Sequence, residues 1–127
     1  MNDVVTLQLP RDHDFFGVAH LVLGGLGARF DLTYDVLEDI NTALDELLER
    51  REVIDDVTLE VRVGDGEITT TVGPFGGRVV DELHASDAGL GLRRVLETVV
   101  DSVSIRERDS GHWVELRKQV EAVPDAG

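Results

Sequence analysis

Between Thr33 and Arg51 the apolar residues Val36, Leu37, Ile40, Ala43, Leu44, Leu47 and Leu48 fall on one helical stripe. Asp35, Glu38, Asp39, Asp45, Glu46 and Glu49 fill the rest of the turn. Such a helix has one face that must be covered and one that is strongly acidic, so the chain must supply an apolar layer for it to lie against. That layer comes as strands. Val57, Leu59, Val61 and Val63 alternate with Thr58, Glu60 and Arg62, Gly64-Asp65-Gly66 turns the chain, and a second run places Ile68, Thr70 and Val72 on one side.

The remaining elements follow from the same periods. Val5, Leu7 and Leu9 alternate with Thr6 and Gln8 in a strand stopped by Pro10. Asp12 and Asp14 offer caps for a helix from about Asp14 to Arg29. Gly24, Gly25 and Gly27 lower its propensity, so it ends early or packs closely on a neighbour. His20 reads as a packed residue of that helix, and Asp12-His13-Asp14 as a cap beside a solvated histidine rather than a metal cluster. No period is visible from Gly73 to Ala88, which predicts a loop of about fifteen residues, a length typical of functional lids. From Leu92, the residues Val95, Leu96, Val99 and Val103 recur at helical spacing; Val103 and Ile105 then open a strand, Asp109-Ser110-Gly111 turns it, and Val114 and Leu116 mark the last strand's inward face. This order predicts an α+β, two-layer sandwich: a mixed, mainly antiparallel sheet of about five strands with three helices on one face. Residues 1–120 read as a single domain and 121–127 as a frayed tail.

Charge narrows the choice of partner. The chain carries 26 acidic and 12 basic residues, for a net charge of −14. Such a field repels nucleic acid and attracts a basic protein. There is no cysteine, and so no disulfide, thiolate metal site or cysteine nucleophile. No apolar run has the length of a membrane span and the first residues do not form a leader, which reads as soluble and cytoplasmic. No metal site is expected, and neither a Gly-Lys-Ser/Thr phosphate loop nor a Gly-x-Ser-x-Gly elbow is present. His84 reads as a solvated loop residue, and His112 and Trp113 as members of the last hairpin, with Trp113 a candidate exposed contact.

The stretch Ser86-Asp87-Ala88-Gly89-Leu90-Gly91-Leu92-Arg93-Arg94 runs through two glycines into a helix. Free backbone N–H groups at a helix start favour anions, and glycines allow close approach, so the place suits phosphate. Arg93 and Arg94 add positive charge. A plainer account leaves Gly89 and Gly91 to shape a loop before a core helix.

Taken together, this order, the acidic second helix, the long loop and the Gly-x-Gly-Leu helix start resemble the GHKL (Bergerat-fold) ATPases. Length narrows the likeness to the bacterial anti-sigma factors that are ATP-dependent serine kinases. Leu44-Asp45-Glu46-Leu47-Leu48 is similar to their acidic helix box, and Gly89-Leu90-Gly91-Leu92 to their second glycine box. The resemblance implies that Glu46 is the base for an attacking hydroxyl. Where the family has a Mg²⁺-holding Asn, this chain has Arg50, which has donors and no acceptor. Arg50 either neutralises phosphate in place of the ion or pairs with Glu46 one turn away. The family's adenine-binding Asp is also missing, since the corresponding stretch is Val72-Gly73-Pro74-Phe75-Gly76-Gly77. The candidate nucleotide contacts are therefore Arg50, Gly73, Gly76, Gly77, Gly89, Leu90, Gly91, Leu92 and Arg93, in an ATP site weakened or lost and without firm support for Mg²⁺. The implied role is transcription regulation through a sigma factor or an anti-sigma-factor antagonist, without direct nucleic-acid or membrane binding, and compatible with a homodimer. The alternatives are an active serine protein kinase and a scaffold whose acidic surface keeps it soluble.

Overall fold

The computed structural model describes residues 3–10, 17–49, 53–64, 66–84, 91–108 and 111–120, the side chains of 3 and 53–55 excepted. In chain order these form β1 (Asp3–Leu9), α1 (Gly17–Arg29), α2 (Tyr34–Leu48), β2 (Val53–Gly64), β3 (Glu67–Phe75), α3 (Gly77–His84), α4 (Leu92–Glu97), β4 (Ser102–Arg108) and β5 (Gly111–Gln119). The strands make one sheet in the order β1-β2-β3-β5-β4. The fold is the expected α+β sandwich. All described pairings are antiparallel, so the sheet contains no parallel pair among the described residues.

Register explains the two layers. Pairing Val5 with Val61, Leu59 with Val72, and both Val72 and Ile105 with Val114 puts the apolar residues of every strand on one face. That face is buried together with residues from all four helices, among them Leu23 of α1, Leu44 and Leu47 of α2, Leu83 of α3 and Leu96 of α4. Burying one such leucine contributes about 1.5–3 kcal/mol, and α2 alone buries Ile40, Ala43, Leu44, Leu47 and Leu48. Thr33 caps α2, its hydroxyl accepting from Val36 N–H at 3.3 Å. At Gly27 a Cβ would lie inside the Leu37 side chain, so this glycine lets α1 press against α2. Residues 11–16, with the expected Asp12 and Asp14 caps, lie outside the described residues, as do Asp65, the 109–110 turn and the 121–127 tail.

Two segments differ from expectation. The stretch read as an aperiodic loop instead continues β3 to Phe75 and then forms α3, a helix beyond the three expected, in which Val79 and Leu83 are buried. Eight residues with two buried positions are too few to display a period. Conversely, helical spacing after Leu92 predicts a long helix, yet α4 ends at Glu97. Thr98 Oγ1 donates to the Val95 carbonyl at 2.6 Å and Asp101 N–H to the Arg117 carbonyl at 2.8 Å. The β-branched run Thr98-Val99-Val100 disfavours further helix, and pairing with β5 takes the chain instead.

Lys118 closes the helix side. Its Nζ lies 2.9 Å from Asp39 Oδ2 of α2 and donates to the Val99 carbonyl at 2.9 Å, with the side chain 17% exposed.

On the opposite, polar face, Glu115 accepts from Arg106 Nε and Arg117 Nε, both at 3.0 Å. Burial pushes its pKa up, but the hydrogen bonds and charges of Arg106 and Arg117 outweigh this and hold it below the ordinary value of 4.5. A depressed folded-state value gives stability that is complete above the unfolded value and lost as pH falls through the folded one. Denaturant unfolding at neutral pH is expected to find Glu115→Gln less stable by about 1–3 kcal/mol. The gap to the parent chain should close as pH drops below 4.5; a gap unchanged in acid would contradict this account.

Candidate functional site

Glu46 stands half-exposed on α2, one residue after Asp45, whose Oδ1 meets His20 Nε2 of α1 at 2.8 Å. His20 is thus not simply packed: it ties the first two helices together. On the same side of the sheet, α4 packs against α2 and α3. Gly91 is the N-cap of α4, extended at φ −62° and ψ 150°, with no side chain to occupy the first amides. Glu46 and the start of α4 therefore belong to one helix layer. Gly89 and Leu90, and with them most of the presumed phosphate loop, lie outside the described residues, as does Arg50.

The other candidates divide. Gly76 and Gly77 link the end of β3 to the start of α3, and a Cβ on Gly77 would meet nothing. Leu92 is a core residue. Arg93 is committed to the fold: Nε donates to the Leu83 carbonyl at 3.0 Å and Nη1 to the Val103 carbonyl at 3.3 Å. It stitches the end of α3 and strand β4 to α4. Arg94 is exposed.

Gly73 faces the other way. A Cβ there would come within 2.8 Å of the Trp113 ring and 3.0 Å of the His112 carbonyl oxygen. The glycine leaves room for Trp113 to lie across β3 on the polar face, half-buried rather than freely exposed. Arg108 stacks over that ring at 5.0 Å, and its Nη1 donates to Glu60 Oε2 at 2.9 Å. The structure thus brings Glu46, Gly91 and Arg93 into the helix layer and sets Gly73 on the far side of the sheet. His84 is exposed, but at the end of α3 rather than in a loop.

No protein-family model matches the chain. The serine-protein kinase RsbW of Bacillus subtilis is 28% identical over 141 residues, covering 91% of this chain and 85% of that protein. RsbW of Listeria monocytogenes (strain EGD-e) is 27% identical over 144 residues, covering 94% of this chain and 89% of that protein. The crystal structure of the RsbU and RsbW domains of Rv1364c from Mycobacterium tuberculosis matches with a TM-score of 0.67 and 16% identity over 93% of this chain. The present chain spans 32% of that longer one. The chain thus shares the fold of an RsbW domain and is similar in sequence to serine-protein kinases named RsbW.

Sequence reasoning missed two groups in this chain. One is the tie made by Lys118, whose signal was its being the only lysine in the chain. The other is the arginine cluster on the polar sheet face, visible in sequence only once the alternation of β2, β4 and β5 is taken together.

Removing Arg93 tests which role it has. Arg93→Ala is expected to lower unfolding stability by about 1–2 kcal/mol, because two carbonyls lose a charged donor. Unchanged stability with a loss of anion affinity would instead make Arg93 a ligand-binding group.

Proposed function

We propose that the chain is a cytoplasmic anti-sigma-factor-like regulator that captures a basic partner, a sigma factor or an antagonist protein, and whose use of nucleotide is reduced. The observation that carries this reading is Arg93. A guanidinium poised in sequence to meet phosphate is engaged with the Leu83 and Val103 carbonyls, while in sequence Arg50 takes the position at which the resemblance implies a metal-ligating Asn. Gly73, turned to Trp113 on the other sheet face, supports it further. Loss of a charge-assisted hydrogen bond costs about 1.5–3 kcal/mol, or roughly one to two powers of ten in affinity. An ATP site without its adenine-binding carboxylate and its metal ligand therefore falls from micromolar toward millimolar. The acidic outer face of α2 supports capture of a basic protein, since long-range attraction steers encounter.

A second reading is favoured by Glu46 and by the names of the relatives, which are serine-protein kinases. In it Glu46 takes the proton from a partner's serine hydroxyl as that oxygen attacks the γ-phosphorus of ATP, with ADP leaving and positioning supplying most of the catalysis. ATP would lie between α2 and the start of α4, and any Mg²⁺ would have to be held by groups other than Arg50.

Calorimetry with ATP, with and without Mg²⁺, separates the two. The regulator should bind ATP weakly, at about millimolar concentration and independently of the metal, and Arg50→Asn should introduce Mg²⁺ dependence. Micromolar, Mg²⁺-dependent binding by the parent chain, together with phosphate transfer to a serine of a captured partner, would overturn the reduced-nucleotide reading.

A further inference from the structure

Unlike α2 and α3, helix α1 is apolar all round. A helix of that kind is normally covered on every side, yet α1 is covered on one. Ala19, Leu23, Leu26 and Gly27 face the core. At about 100° per residue, Val18, Leu21, Gly24, Gly25, Ala28 and Arg29 fall on the opposite arc, and all six are exposed. Leu21, in the middle of that arc, is 76% exposed. At Gly24 and Gly25 a Cβ would meet nothing within 4 Å. One turn from a projecting leucine, the helix therefore shows bare backbone.

Charge singles out the same helix. Among the described elements, Gly17–Arg29 is the only one whose sequence contains no Asp or Glu. Asp45 of α2 comes near it, but on the flank, where it is bound to His20 at 2.8 Å. In a chain of charge −14, two copies brought together through any other element set carboxylate against carboxylate. On the outer arc of α1 they do not. A basic protein, by contrast, is drawn to the carboxylates of α2 and meets on this arc only the charge of Arg29.

We propose that the outer arc of α1 is the contact between two copies of this chain, crossed antiparallel, with Leu21 of each copy seated over Gly24 and Gly25 of the other. A contact about a two-fold axis requires a surface that fits itself. A projecting leucine three and four residues before a gap, on one helical face, is such a surface, and the axis then passes level with residues 22 and 23. Without side chains at the crossing the helices can approach to about 8 Å, the near end of the usual packing range. Arg29 decides the antiparallel sense. Six residues from the axis in each copy, the two guanidiniums stand about 19 Å apart along the helices, more than twice the screening length of about 8 Å at physiological salt. Parallel helices would set them side by side. Two helices of this length form a contact below about 1,200 Å², in the range of weak and transient association. The inference rests neither on nucleotide nor on the basic partner.

Sedimentation of the full chain from about 5 to 500 µM, a span suited to weak contacts, tests this. The chain should pass from monomer toward dimer across it. Dimer should be more abundant at about 500 mM than at about 50 mM salt, because salt screens the repulsion between two acidic copies and leaves the apolar contact in place. Leu21→Glu should weaken association at least about tenfold, with the unfolding temperature of the dilute chain unchanged, since that side chain lies mostly in water. Gly25→Gln should also weaken association by filling the gap, yet raise the unfolding temperature, because glutamine is the better helix former at an open position. A damaged fold cannot produce that pair of results. A chain that stays monomeric throughout, self-association indifferent to both substitutions, or a dimer that dissociates as salt rises overturns the proposal.

Discussion

A strand gives alternate side chains to opposite faces, and in this protein every strand has apolar residues on the same side. That constraint governs the rest. With one apolar sheet face and several helices to cover it, α1, α2, α3 and α4 all bury their stripes in a single core. The other face keeps threonines, arginines and glutamates, because the residues between the core positions have nowhere else to go. Slipping any central strand by one residue would exchange the two sets and bury Arg62 or Glu115 among leucines, so register is fixed by a heavy penalty.

The separation of faces also separates the chemistry. On the helix side, α2 turns carboxylates outward, and Arg93 and Lys118 are drawn inward as ties between elements. On the sheet side, carboxylates match the arginines in number. An overall charge of −14 hides this arrangement, since it averages a strongly acidic helix layer with a mixed, charge-balanced sheet.

The elements with unambiguous periods were legible in the residues. The seven-position apolar stripe of α2, the Val57–Val72 hairpin and the alternation of Val114 and Leu116 each identify both an element and its buried side. Where sequence reading failed, a competing local or tertiary interaction took over. The helix α3 is short, and only the four-residue spacing of Val79 and Leu83 announces it. For α4, helical spacing was outweighed by β-branched residues and by pairing with β5. The candidate site was legible in part. Glu46 and Gly91 lie in one helix layer, but nothing local to Gly73 reveals that a tryptophan forty residues later in the chain fills the space above it. Nor does any motif distinguish an arginine that meets a ligand from one, like Arg93, that joins two carbonyls.

The single lysine has a practical corollary. With Nζ held between Asp39 and the Val99 carbonyl, the only lysine amine in this sequence is shielded, so reagents that acylate or crosslink primary amines meet it poorly. Covalent trapping of its complexes must go through carboxylates, which are plentiful on α2, and the absence of a lysine adduct says nothing about whether a partner was bound.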